Sequence, residues 1–130
     1  METCLYVADL QRARQFYVEV LGLEVMVDEP RFCALDVSGR SVLLLFEQGQ
    51  SLQAHPLPGG TIPPHDGSGP VHVGFSIDTA DFAAWEARLR GHGTSIESTV
   101  CWPRGGKSIY FRDPDQHLVE LLTPGVWAIY

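Results

Sequence analysis

Residues 71–77, VHVGFSI, repeat the pattern of residues 2–7, ETCLYV. In both stretches apolar residues alternate with polar or small ones, which predicts a β-strand with one apolar face. The alignment has an offset of 70 and pairs Glu2 with His72. Two later strands match with an offset near 76, which pairs Leu44 with Glu120. The chain therefore reads as two copies of one folding unit.

Each copy adds a helix and three more strands to its first strand. In the first copy Asp9 is placed as an N-cap, apolar residues recur at helical spacing over 10–21, and Gly22 can end the helix. In the second copy Asp78 is the predicted cap of a helix over 79–90. The remaining predicted strands are 23–28, 31–37 and 41–47, then 95–100, 107–112 and 117–122, with residues 113–116 (DPDQ) as the last turn.

This order predicts an α+β fold of two βαβββ modules. Each module has an apolar sheet face to bury, so we expect them to form one cup-shaped, eight-stranded mixed sheet with helices outside. We expect a single domain over 1–130, with module 1 at 1–48, a linker loop at 49–69 and module 2 at 70–130. The linker segment is rich in Gly and Pro and has no sustained period, and so long a loop usually joins modules or covers a site.

Composition narrows the class of protein. The chain has 130 residues and a net charge of −7, and an acidic surface repels phosphate backbones, which disfavours nucleic acid as a partner. No apolar run is long enough to span a membrane and no signal peptide is readable, so we expect a cytoplasmic protein without a membrane partner. Three cysteines without a CxxC spacing predict free thiols.

Three ionisable residues are predicted to face the inside of the cup. Glu2 and His72 alternate with the apolar faces of their strands, and Glu120 lies in the apolar run HLVELL, where a carboxylate needs a partner. One imidazole and two carboxylates suit a divalent ion such as Fe²⁺, Mn²⁺, Ni²⁺, Zn²⁺ or Co²⁺. The alternative is that His72 is a structural residue and Glu2 a terminal charge. His117 is predicted to face away from Glu120.

Three stretches resemble the glyoxalase/bleomycin resistance/extradiol dioxygenase superfamily, also called vicinal oxygen chelate. They are residues 2–10 with 16–17 and 20–23, then residues 69–78 (GPVHVGFSID), and residues 110–120 (YFRDPDQHLVE). The resemblance implies four equivalent strand positions for metal ligands, which here hold Glu2, Leu44, His72 and Glu120. Leu44 cannot ligate, so the set departs from the four-ligand site of glyoxalase I. It is closer in number to the sites of extradiol dioxygenases and fosfomycin-resistance transferases, although both normally begin with His.

The resemblance also implies a function. One expectation is a metal-dependent enzyme with lyase, isomerase or dioxygenase chemistry on a small oxygenated substrate, in which Glu120 or Glu2 is a ligand that also takes a proton if it detaches during the reaction. The alternative is a metal-free binding or sequestering protein of the bleomycin-resistance type. A homodimer is implied as well, and pairing of modules within or between chains stays open.

Three further residues are candidates for contact with substrate. His65 could reach over the cup or be a plain loop residue, and Arg104 could hold an anionic group next to Gly105 and Gly106, which permit close approach of backbone. Tyr110 could supply a phenol to the cup or only pack. We expect Trp127 and Tyr130 to cover a sheet edge or a dimer partner.

Overall fold

The first repeat forms a four-stranded sheet with one helix on its apolar face. In the computed structural model, which describes residues 1–130, the elements of this repeat are β1 (Glu2–Val7), α1 (Leu10–Glu19), β2 (Glu24–Asp28), β3 (Phe32–Val37) and β4 (Ser41–Glu47). The strand order is β1-β4-β3-β2, with β1 parallel to β4. Leu5 and Val7 of β1 are buried with Leu43 and Leu45 of β4, because α1 packs over that side.

The caps of α1 follow the sequence prediction. The Asp9 carboxylate accepts from the Arg12 backbone N–H at 3.0 Å, which satisfies one amide of the first turn. At the other end Gly22 donates to the Val18 carbonyl and Leu23 to the Tyr17 carbonyl. This Schellman pattern needs the left-handed backbone that Gly22 adopts, with φ 73°.

The segment predicted to be an irregular linker contains a hairpin. Strands β5 (His55–Leu57) and β6 (Gly60–Ile62) pair antiparallel and belong to the first of two compact units, residues 1–69, while the second unit spans 70–130. The sequence prediction missed this hairpin because strands of three residues are too short to show alternation. The assignment of the whole chain to a single domain stays a prediction.

The second unit has the same order as the first. Its elements are β7 (His72–Ser76), α2 (Phe82–Gly91), β8 (Ile96–Cys101), β9 (Lys107–Arg112) and β10 (Leu118–Leu122), in the sheet order β7-β10-β9-β8. The helix begins later than predicted, because residues Thr79–Asp81 form a 3₁₀ turn and Asp78 makes no side-chain cap. The α+β class and the two βαβββ modules are therefore confirmed, as two four-stranded sheets.

Strand register confirms the internal repeat. Glu2 pairs with Val42 and Cys4 with Leu44 in the first unit, as His72 pairs with Leu118 and Gly74 with Glu120 in the second. The offsets of 70 and 76 therefore connect residues in the same place of each sheet.

Neither helix is long and apolar enough to cross a membrane. The three cysteines are free, with Cys4 and Cys101 exposed and Cys33 buried. Burial, followed by the charge of Asp28, raises the pKa of the Cys33 thiol.

Candidate functional site

The best-defined polar site lies on the sheet of the second unit. His72 Nε2 is 3.1 Å from Glu120 Oε2, although β7 and β10 place the two residues diagonally rather than opposite each other. Gly74, directly opposite Glu120, has no side chain to stand between them, and a Cβ there would lie 3.8 Å from Glu120 Oε2. The register of the strands thus brings together two of the three predicted ligands.

The orientation of His72 is set by its other ring nitrogen. Nδ1 lies 3.1 Å from the Leu118 carbonyl oxygen, and since a carbonyl only accepts, Nδ1 carries a hydrogen. In the neutral ring Nε2 then presents its lone pair toward Glu120. A backbone carbonyl that fixes the tautomer in this way is a common second partner of metal-binding histidines.

Glu120 is held on its other oxygen by a phenol. Tyr110, its direct partner on β9, donates to Glu120 Oε1 at 2.8 Å. Burial comes first and this hydrogen bond second among the causes that raise the pKa of Tyr110, so the phenol stays protonated and remains a donor. Glu120 is 7% exposed and His72 is exposed, so the carboxylate is anchored in the sheet while the imidazole faces the surface.

The atom types and the spacing of His72 Nε2 and Glu120 Oε2 suit the binding of a cation. An ionised carboxylate and the lone pair of a neutral imidazole are both acceptors, so at 3.1 Å a proton or a cation must lie between them. That separation is also about the spacing of neighbouring ligands whose bonds to a divalent ion measure about 2.1 Å. His72 and Glu120 therefore have the residue types and the spacing for two ligands of a metal ion.

The predicted third ligand, Glu2, lies on β1 in the other unit and is exposed. The structure holds no preformed group of three His, Cys, Asp or Glu side chains placed to bind a metal ion. The set of Glu2, His72 and Glu120 consequently stays a prediction. His117 is buried and accepts from the Val71 N–H through Nδ1, in agreement with its exclusion from the site.

The other candidates are placed as follows. His65 contacts Tyr6 in the first unit, with Nδ1 2.7 Å from the phenol oxygen. Arg104 is exposed in the turn between β8 and β9, and the close backbone approach predicted beside it is made by the chain itself, since Gly106 packs against Gly125. The roles of His65, Arg104 and Tyr110 in substrate binding remain predictions.

The first unit contains a cavity that the sequence analysis did not identify. Its volume is about 630 Å³, and its lining includes Glu2, Cys4 and Tyr6 of β1 with Leu44 and Phe46 of β4. These residues alternate with the buried ones on both strands, so the period-two pattern already placed them together on one face. What the pattern could not supply is the opposite wall, which comes from residues 51–65.

Comparison with known proteins gives a consistent result. Residues 2–121 match the family model described as the Glyoxalase/Bleomycin resistance protein/Dioxygenase superfamily. The metallothiol transferase FosB of Bacillus licheniformis is 29% identical over 122 residues, which cover 93% of this chain and 72% of that protein. Biphenyl-2,3-diol 1,2-dioxygenase 3 of Rhodococcus globerulus is 32% identical over 111 residues, which cover 82% of this chain and 53% of that protein.

A solved structure agrees with these matches. The crystal structure of lactoylglutathione lyase from Agrobacterium tumefaciens superimposes with a TM-score of 0.88 at 35% identity. The match covers 98% of this chain and 95% of that one. The relatives thus carry transferase, dioxygenase and lyase names on one fold, and a shared fold does not select among chemistries.

Proposed function

We propose that this chain, which belongs to the Glyoxalase/Bleomycin resistance protein/Dioxygenase superfamily, is a divalent-metal-dependent enzyme that acts on a small oxygenated organic molecule. The observation that carries the proposal is the acceptor pair of His72 Nε2 and Glu120 Oε2, 3.1 Å apart. The names of the relatives support an enzyme, and lyase, isomerase and dioxygenase chemistry all remain within the proposal.

Each residue has a distinct role in this proposal. His72 and Glu120 hold the ion, and positions are left open for two oxygens of the substrate. A third ligand role for Glu2 stays a prediction from the sequence. The ion, when bound, acts as a Lewis acid toward those oxygens. Fe²⁺, Mn²⁺, Ni²⁺, Zn²⁺ and Co²⁺ are all compatible with this set of donor atoms.

Glu120 is also the proposed catalytic residue. Its Oε1 accepts from Tyr110 while Oε2 faces His72, so Oε2 could accept a proton on detaching from the ion while Tyr110 keeps the carboxyl group in place. The Tyr110 phenol, whose pKa is raised, donates to Glu120 without giving up its own proton. Tyr110 is in this view a residue that orients Glu120 beside the substrate.

Metal binding can be tested through stability. A ligand that binds only the native state raises the free energy of unfolding, by about 2.7 kcal/mol at a free concentration 100 times its Kd. We expect at least one of Fe²⁺, Mn²⁺, Ni²⁺, Zn²⁺ and Co²⁺ to raise the Tm of the protein, and Glu120→Gln and His72→Gln to abolish the rise. Differential scanning fluorimetry on chelator-treated protein measures this.

The matched control is His92→Gln, because His92 is an exposed histidine of the same unit that lies beyond the end of α2. This variant should keep the full metal effect. A Tm that no ion raises would refute the proposal and leave the metal-free sequestering function in its place. If the metal still raised the Tm of both Glu120→Gln and His72→Gln, the ion would bind at another site.

A further inference from the structure

The wall of the first unit's cavity is mainly aromatic and aliphatic. Tyr6, Phe32 and Phe46 come from three neighbouring strands, and His65 closes over them from the segment after β6. All four rings are half-buried, so each has surface that faces the cavity. Leu57 and Ile62 of the hairpin are exposed apolar side chains and extend this apolar lining.

The rings of Tyr6, Phe46 and Phe32 stack in a row, and the ring of His65 stands nearly perpendicular to Phe46. Phe46 stacks against Tyr6 at 5.9 Å and against Phe32 at 5.6 Å, each with 27° between the ring planes. His65 stands across Phe46 at 4.6 Å and 75°. Flat rings bind to such surfaces by offset stacking and edge contacts, which contribute about 0.5–1.5 kcal/mol per pair beyond the burial of area.

The imidazole of His65 supplies a polar group beside these rings. Burial, followed by the charge of and a hydrogen bond with Cys4, raises the pKa of Tyr6, so its phenol keeps its proton, and the phenol oxygen lies 2.7 Å from His65 Nδ1. The tautomer of His65 decides which of the two groups donates, so in the neutral ring Nε2 carries either the hydrogen or the lone pair. No hydrogen bond of the protein engages Nε2, which leaves it to donate to, or accept from, a hydroxyl group of a ligand.

The wall that carries His65 is fixed in place by its backbone. The His65 N–H donates to the Ser51 carbonyl at 3.0 Å, and the neighbouring Asp66 carboxylate accepts from the Gly49 N–H at 3.2 Å. Ser51 itself is buried. The cavity is therefore preformed, and a ligand need not order this segment when it binds.

Charge at the cavity disfavours an anionic ligand. The lining contains two carboxylates, Glu2 and Glu29, against one guanidinium, Arg31. Arg31 Nη1 already points toward the Gln50 carbonyl, at 3.5 Å. An additional negative charge in this space would be repelled more than it is attracted.

We propose that the cavity of the first unit binds a neutral, flat aromatic ligand whose hydroxyl group forms a hydrogen bond with His65 Nε2. The proposal deepens the function proposed above, because Glu2, the predicted third ligand, lines this cavity, and it names the chemical class of a ligand. The four aromatic rings select the flat shape, the mainly apolar wall disfavours a charged ligand and the two carboxylates disfavour an anion above all, and the single imidazole Nε2 selects one hydroxyl group.

A matched series of probes tests this on the unmodified protein by isothermal titration calorimetry. We expect saturable, one-to-one binding of 2-naphthol. Naphthalene, which lacks the oxygen, should bind about three- to tenfold more weakly, as for one lost hydrogen bond. The anion 2-naphthoate should bind about tenfold more weakly because of the carboxylates. Absence of 2-naphthol binding, or tighter binding of 2-naphthoate, would overturn the proposal.

Two variants locate the site. Phe46→Leu removes the central ring and should weaken 2-naphthol binding about three- to tenfold, whereas Phe16→Leu, on α1 outside the cavity lining, should not. His65→Gln should remove the preference for 2-naphthol over naphthalene, and His92→Gln should keep it. Equal weakening by Phe46→Leu and Phe16→Leu would place the probe elsewhere.

These titrations are made without metal and repeated on Glu120→Gln. A protein that binds 2-naphthol but is stabilised by no ion keeps this inference and loses the metal proposal. If an ion stabilises the protein but no aromatic probe binds, the metal proposal is kept and this inference is lost.

Discussion

At the scale of single residues, the two repeats have different residue types at equivalent positions of their sheets. The register places Leu44 where the second unit has Glu120, and Ala34 where it has Tyr110. The same sheet positions thus give a carboxylate with a phenol donor in one unit and a wholly apolar pair in the other. This divergence explains why the polar pair with His72 is in the second unit and the aromatic cavity in the first.

The hydrogen bond between Tyr110 and Glu120 yields a prediction of its own. Tyr110→Phe leaves Glu120 Oε1, in a residue only 7% exposed, without its donor. We expect the free energy of unfolding to fall by about 1–3 kcal/mol, measured by urea denaturation at neutral pH. The ring of the substituted residue still packs beside His72, so the loss reports the hydroxyl.

A double-mutant cycle supplies the control for this prediction. Glu120→Leu introduces the residue type that Leu44 provides in the first unit, and in that background Tyr110→Phe should cost much less. An equal cost in both backgrounds would mean that the phenol stabilises the fold through something other than Glu120.

At the scale of elements the hairpin of β5 and β6 is the largest addition to the predicted fold. The two repeats alone would leave the second face of the first sheet open. Residues 51–65 instead stand over it, held by bonds such as those from His65 to Ser51, and convert an exposed strand face into a cavity. A segment without periodicity thus has a definite structural role.

The turn between β8 and β9 gives a second prediction at this scale. A Cβ on Gly106 would lie 2.9 Å from the Gly125 carbonyl oxygen and closer still to other backbone atoms of residues 125–126, which have no flexible end to move aside. We expect Gly106→Ala to lower the free energy of unfolding by about 1–3 kcal/mol, through forced movement of the C-terminal segment. Thermal and urea unfolding measure the change.

Gly91→Ala is the matched control, since nothing lies within 4 Å of the added Cβ and residue 91 ends α2. Alanine favours the helix over glycine, so this variant should be unchanged or slightly more stable. If both variants had the same effect, the packing of Gly106 against Gly125 would not matter for stability.

At the scale of the whole molecule, several large apolar side chains are exposed on the surface. All five residues of the edge strand β2 are exposed, including Val25, Met26 and Val27, and Trp127 is 64% exposed. That Trp127 and Tyr130 cover a sheet edge or a dimer partner stays a prediction. Exposed edge strands and apolar patches are typical of association surfaces.

We accordingly expect a homodimer, as the family resemblance implied. Sedimentation equilibrium at micromolar concentration should give twice the chain mass of 14.4 kDa. Met26→Lys, on the exposed edge, should shift the equilibrium toward monomer, whereas a charge at the exposed position Ala87 of α2 should not. A wild-type mass of one chain at this concentration would contradict the prediction.

The sequence by itself determined the elements, the repeat and the faces of the strands. Alternation and capping are local signals, so they predicted β1, α1 and the two βαβββ modules, and the offsets of 70 and 76 that the register confirms. The pairing of Glu2 with His72 by position followed from the same pattern. These inferences succeed because each depends on neighbours along the chain.

Tertiary structure decided what those faces contact. Only the diagonal placement across Gly74 brings His72 to Glu120, and only the fold of residues 51–65 brings His65 to Tyr6, 59 positions away. Neither contact leaves a periodic trace in the sequence, because a distance between side chains depends on register and loop path rather than on residue spacing. Both candidate sites depend on those two long-range contacts.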